Sequence, residues 1–127
     1  MAKPRFEWRG EFDNQELNAL HAEAFAHAVL EIDWTSQVNA HSLGWVIARD
    51  AGELVGFVNV AWDGEIHAFI LDTIVSASRK RQGIGTRLVA VAAAEARAAG
   101  CKWLHVDFGE EHRPFYFDAC GFKPTPA

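Results

Sequence analysis

Cysteine, proline, tyrosine and positive charge are all sparse in this chain. Two cysteines in 127 residues, Cys101 and Cys120, are too few for a disulfide scaffold and carry no metal-ligand spacing, so they read as reduced core thiols and no metal site is expected. No uninterrupted apolar run approaches the ~20 residues of a membrane span. The N-terminal MAKPRFEWRG carries charge but lacks the apolar stretch of a secretory signal. The expectation is a soluble, cytoplasmic protein with no membrane partner. With 12 Lys and Arg against 17 Asp and Glu, the formal net charge is −5. That balance excludes a general nucleic-acid binder, which needs a broad basic surface to release counterions from phosphates.

What remains is an ordinary globular composition, 50% hydrophobic and 23% charged, with a generous 5 Trp and 9 Phe, too apolar for disorder. The length suits one domain over residues 1–127, large enough to bury a core without a staple. Phe6 to Phe12 alternates like a first strand. Asp13 or Asn14 caps a helix through Phe25, and a shorter helix is expected over Asp33 to Leu43 with Gly44 as its stop. Trp45 to Arg49, the turn Asp50-Ala51-Gly52-Glu53 and Leu54 to Trp62 read as a hairpin, and Glu65 to Val75 follows the Asp63-Gly64 turn as the next strand. Gly83 to Ala99 is rich in helix formers and closes on Gly100; Lys102 to Phe108 reads as a fifth strand, and Glu111 to Cys120 as a short helix with Pro114 in its first turn. This order of elements predicts an α+β (α/β) chain with a mixed sheet.

The stretch RKRQGIGTRL, residues 79–88, joins a strand to a helix through a basic, glycine-containing turn. Helix-start N–H groups have no intrahelical acceptor and the aligned peptide dipoles place about half a positive charge there, so such a turn can hold an anion. Glycine at 83 and 85 removes β-carbons that would hold a phosphate away, while Lys80, Arg81 and Arg87 add charge-assisted bonds. A bare G-x-G is also what a solvated turn looks like. The stretch lacks the spacing of a P-loop and the third glycine of a dinucleotide fingerprint, Leu88 standing there.

VSASRKRQGIGTRLV resembles motif A of the GNAT superfamily of N-acetyltransferases, (Gln/Arg)-x-x-Gly-x-(Gly/Ala), read here as Lys80-Arg81-Gln82-Gly83-Ile84-Gly85 with lysine in the Gln/Arg slot. FYFDACGF resembles motif B, (Leu/Phe)-Tyr-x-x-x-Gly-Phe, and the order of elements matches along almost the whole chain. The resemblance implies the GNAT fold, a mostly antiparallel central sheet flanked by helices, and acetyl-CoA as cosubstrate. It implies that the turn and helix start, Lys80, Arg81, Gln82, Gly83, Ile84, Gly85, Thr86 and Arg87, hold the pyrophosphate, while the backbone of Ile74 and Val75 pairs with the pantetheine arm and polarises the thioester carbonyl.

Two departures stand out. The family's usual tyrosine, which protonates the departing thiolate, lies four residues before the glycine; Phe117 holds that slot and Tyr116 sits five before Gly121. Either the helix start shifts so that Tyr116 serves, or the thiolate leaves unaided. The family's last strand is also expected to be missing or supplied by a partner, since Lys123-Pro124-Thr125-Pro126-Ala127 contains two prolines; a homodimer is one way to cover the edge.

An alkyl ammonium with a pKa near 10.4 is neutral in about one molecule in a few thousand at pH 7, so freeing the amine costs roughly 4–5 kcal/mol. Asp72 is the preferred base, one step from the pantetheine-pairing segment. Glu65 and His67 lie farther back, His21, His27 and His41 line an acceptor site or simply face solvent, and Trp34, Trp45 and Trp62 are core by default. The expected function is acetyl transfer from acetyl-CoA to a primary amine of a small molecule or peptide, by direct attack in a ternary complex. The rival is a weakly catalytic or non-catalytic acyl-CoA-binding regulatory module of the same fold.

Overall fold

The computed structural model describes residues 3–125. The expectations for Met1, Ala2, Pro126 and Ala127 lie outside the described residues. One five-stranded sheet runs β1 (Arg5–Trp8), β2 (Ser42–Asp50), β3 (Glu53–Trp62), β4 (His67–Val75) and β5 (Trp103–Val106) in that spatial order. The first three pairings are antiparallel and β4 with β5 is parallel. The parallel pair needs a crossover, and α3 (Ile84–Ala98) provides it.

Sequence sets the helix ends. Asp13 caps α1 (Asn14–Phe25) in a reciprocal box: its carboxylate accepts from Glu16 N at 2.7 Å, and the Glu16 carboxylate accepts from Asp13 N at 3.1 Å. Asp33 caps α2 (Trp34–His41) through Ser36 N. At the end of α3, Gly100 in the left-handed region (φ 94°) lets Gly100 N reach Arg97 O and Cys101 N reach Ala96 O, a Schellman closure.

Helices cover both faces. Ile84, Leu88, Ala92 and Ala96 of α3 pack on Val46, Ala48, Val58, Val60, Ala68 and Ile70. Leu17, Leu20 and Ala24 of α1, with Trp34 and Val38 of α2, pack on Trp45, Ile47, Phe57 and Ile74. The alternation of residues 45 and 47 against 46 and 48 divides β2 between the two cores, as a strand buried on both faces requires.

Several boundaries differ from the sequence reading. β1 stops at Trp8 because Arg9 turns left-handed (φ 56°); Phe12 leaves the strand and packs edge-on against Trp45 and Phe57. Gly44 does not stop a helix. It lies inside β2, where a β-carbon would collide with the Trp8 indole on the neighbouring strand. Residues 65 and 66 precede β4, and β5 is shorter than Lys102 to Phe108. The expected last helix is a 3₁₀ turn, Glu110–His112, followed by a π-helical turn, Pro114–Ala119. Lys123 to Thr125 form no strand. Cys101 and Cys120 are free and only half-buried rather than core. Among the described residues, no helix is long and apolar enough to cross a membrane and no group of three or more His, Cys, Asp or Glu could hold a metal.

Candidate functional site

The β4–β5 ladder ends at Ile70 and Val106. One residue beyond Leu71, Asp72 adopts φ 55°, and the β3–β4 register slips so that Asp72 and Thr73 fall between the pairs Asn59–Leu71 and Phe57–Ile74. This bulge marks where β4 parts from β5. Past it lies a cavity of about 440 Å³ walled by Thr73 and Val75 of β4, the turn at Arg79, Lys80 and Arg81, the start of α3, and His112, Phe115 and Tyr116. A second cavity of about 480 Å³ beside α1 is lined by Glu16, Glu23 and Glu53 and has the wrong charge for a phosphate.

The α3 start leaves its first backbone N–H groups open. Gly83 occupies its cap position at φ 80°, favoured by glycine, and no side chain caps the helix, unlike α1 and α2. The first backbone bond is Arg87 N to Gly83 O at 3.0 Å, so the N–H groups of Ile84, Gly85 and Thr86, all cavity residues, have no intrahelical acceptor. Lys80 and Arg81 are exposed at the rim and make no ion pair among the described residues, whereas Arg79 is committed to Asp50 and Glu53.

Other expected contacts differ. Gln82 and Arg87 do not line the cavity; Arg87 lies over the Phe6 ring at 5.2 Å. The Ile74 and Ile84 side chains are in the core, leaving only backbone for a ligand. Gly85 does more than clear a path for phosphate: a β-carbon there would press on the Phe115 ring at 3.2 Å, so the glycine seats the π turn against α3.

That π turn resolves the tyrosine register. Cys120 N bonds to Phe115 O five residues back at 3.0 Å, which takes up one residue more than an α turn. Tyr116 therefore enters the cavity although it lies five before Gly121, while Phe117 turns away beneath the Arg113 guanidinium at 5.0 Å. Tyr116 is 8% exposed, stacks on Phe108 at 4.7 Å and donates its hydroxyl hydrogen to Thr73 Oγ1 at 3.1 Å. Burial raises its pKa, with the Thr73 hydrogen bond opposing, so the phenol keeps its proton at neutral pH.

Asp72 lies on the bulge but does not line this cavity. Desolvation raises its carboxyl pKa and nearby His21 pulls it down; because the residue remains exposed, that desolvation is incomplete. Thr73, Phe25, His112 and Phe115 were absent from the sequence reading of the site. Strand alternation around buried Ile74 selects Thr73 and Val75 as its cavity-facing neighbours; nothing local in the sequence signals the other three.

The profile of the acetyltransferase (GNAT) family matches residues 6–122. No curated protein sequence matches the chain significantly. Among solved structures, a GNAT family acetyltransferase of Streptococcus pneumoniae TIGR4 is 26% identical over 95% of this chain and 88% of its own, with a TM-score of 0.73. Glucosamine-6-phosphate N-acetyltransferase of Arabidopsis thaliana is 13% identical over 97% and 95%, with a TM-score of 0.74. An aminoglycoside N-acetyltransferase solved in complex with CoA is 17% identical over 100% and 92%, with a TM-score of 0.77. The two lower identities show a shared fold. With the family profile spanning nearly all of it and the fold agreeing, this chain belongs to the acetyltransferase (GNAT) family.

Proposed function

We propose that this chain transfers the acetyl group of acetyl-CoA to a primary amine by direct attack in a ternary complex. One observation carries the reading: the uncapped α3 start and the buried Tyr116 hydroxyl meet along one cavity. The cavity residues suit the cosubstrate, with free backbone N–H groups and the cations of Lys80 and Arg81 for its diphosphate and the edge of β4 beyond Ile70 for an amide-bearing arm. When bound, acetyl-CoA supplies an activated thioester.

The backbone of Ile74 and Val75 orients that arm and polarises the carbonyl. Tyr116 turns its proton from Thr73 Oγ1 to the departing sulfur, and the Thr73 hydroxyl then donates to the phenol oxygen. Asp72 serves the acceptor side, where its negative charge favours an ammonium. The acceptor is a small-molecule or peptide amine, and a second copy of the chain is the partner expected on the outer edge of β5.

Calorimetric titration with acetyl-CoA, paired with thiol release across a panel of amines, tests the reading. Wild type should bind, and the double substitution Lys80→Ala and Arg81→Ala should weaken binding roughly tenfold. Failure of wild type to bind would sink the proposal; binding without thiol release for any amine would return the chain to a non-catalytic acyl-CoA binder.

A further inference from the structure

Behind Phe25, a wall of the cavity, two imidazoles form a directional pair. His21 Nδ1, on α1, lies 2.6 Å from Nε2 of His27 in the following loop, and His27 Nδ1 lies 2.6 Å from the carbonyl oxygen of Ala28. A carbonyl only accepts, so His27 Nδ1 must carry the hydrogen of that bond. In neutral His27 the lone pair is then on Nε2, and the hydrogen between the rings must come from His21 Nδ1. The free lone pair of the relay is therefore on His21 Nε2, which has no hydrogen-bond partner among the described residues.

The surroundings fit a base. His21 is half-buried, packing edge-on to Phe25 at 4.9 Å and tilted over Trp34 of α2 at 5.7 Å. The titratable groups facing it are His27 from the loop and Asp72 from β4; α2 presents the Trp34 ring. Partial burial and His27 hold its pKa below the usual imidazole value and Asp72 opposes them, so the ring is mostly neutral at pH 7. Asp72, whose charge acts on His21 from β4, adjoins Thr73, the hydrogen-bond partner of Tyr116. Consecutive residues at the β4 bulge thus carry the carboxylate that acts on His21 and the hydroxyl that Tyr116 bonds.

We propose that His21 Nε2, oriented by His27, removes the acceptor's ammonium proton, with Asp72 drawing the ammonium to it; this rests on the acetyl transfer proposed above. The ammonium N–H bond breaks and its proton goes to Nε2, while Nδ1–H stays bonded to His27. The freed nitrogen lone pair forms the C–N bond to the acetyl carbon, and the C–S bond breaks with its electrons going to sulfur. Sulfur takes the Tyr116 proton, and the second proton shed by nitrogen returns through water to the tyrosine oxygen. His21 releases its proton to solvent. Ammonium and thioester thus give amide, thiol and one proton.

The test uses the full chain with acetyl-CoA and two probe amines: 2-phenylethylamine, protonated at neutral pH, and hydroxylamine, largely unprotonated there. His21→Gln should lower kcat/KM for 2-phenylethylamine about 100-fold and remove the imidazole limb from its pH profile. Hydroxylamine turnover should fall less than about fivefold, and acetyl-CoA affinity should stay within about twofold. His27→Gln, which retains an accepting oxygen, should keep more activity than His27→Leu. Nitrogen-15 NMR of the wild type needs neither amine and should find both rings carrying hydrogen on Nδ1. His21 protonated on Nε2 instead would overturn the proposal, as would an unchanged pH profile in His21→Gln with acetyl-CoA binding intact. Loss of acetyl-CoA binding in the wild type would instead overturn the acetyl-transfer reading, and the role of His21 with it.

Discussion

At Tyr116, burial and a single hydrogen bond act on the same proton. Burial disfavours the phenolate, and Thr73 Oγ1 holds the hydroxyl in place. Tyr116→Phe should therefore fold, keep its acetyl-CoA affinity and lose about 10- to 100-fold in kcat, measured as thiol release at saturating acetyl-CoA. Equal loss in kcat and in affinity would make the ring a binding wall rather than an acid. Asp72 gives a prediction of opposite kind. A carboxyl whose pKa is raised in the folded state contributes stability only while protonated, and that contribution is lost as pH rises through the folded value. Asparagine tolerates the left-handed backbone at this position. Asp72→Asn should melt higher than wild type at pH 7, match it below about pH 3 and acetylate amines more slowly. The cations at 80 and 81 and the glycine at 83 were legible in sequence because their chemistry is local. Thr73 and Phe115 were not, because each acts through a partner distant in the chain: Thr73 through Tyr116, Phe115 through Gly85.

Secondary structure was most legible where an element's end is written in its own residues. Asp13 and Asp33 announce capped helices, and Gly83 announces an uncapped one whose open N–H groups face the cavity. Asp13→Ala should cost about 1 kcal/mol in urea denaturation, since it leaves a helix-start donor unsatisfied. Gly44 misled because a glycine after a helical pattern looks like a terminator, whereas here the Trp8 indole on the adjacent strand requires it. The π turn was invisible as geometry but present as arithmetic, one residue too many between Tyr116 and Gly121. Deleting exposed Asp118 removes that residue and should relax the turn toward α geometry with Tyr116 still in the cavity. Thermal stability and kcat of the deletion variant should both stay close to wild type. A collapse of kcat comparable to that of Tyr116→Phe would show that the π turn itself aims the phenol.

For the molecule as a whole, the order of elements was legible because hairpin turns and the helical crossover leave few ways to arrange these strands. The separation of β4 from β5 was not, since it depends on a bulge at one left-handed aspartate within an otherwise regular strand. Global stability should carry a pH signature from the carboxylates that tie the helices together. Asp33 ties α2 to α1: it accepts from Ser36, Thr35 and Asn14, and these bonds lower its pKa from 3.8 to about 2. The Arg49 guanidinium lowers the Glu16 pKa by hydrogen bonding, binding α1 to β2. A depressed carboxyl contributes stability that is complete above its unfolded value and is lost as pH falls through the folded one. The share of urea stability carried by Asp33 and Glu16 should thus be level above about pH 5 and decline toward pH 2. Asp33→Asn should be less stable than wild type at pH 7, with the gap closing across the 3.8-to-2 interval as the wild-type carboxyl takes up its proton. A gap that persists unchanged at pH 2 would assign the role of Asp33 to hydrogen-bond shape alone, with no contribution from its charge.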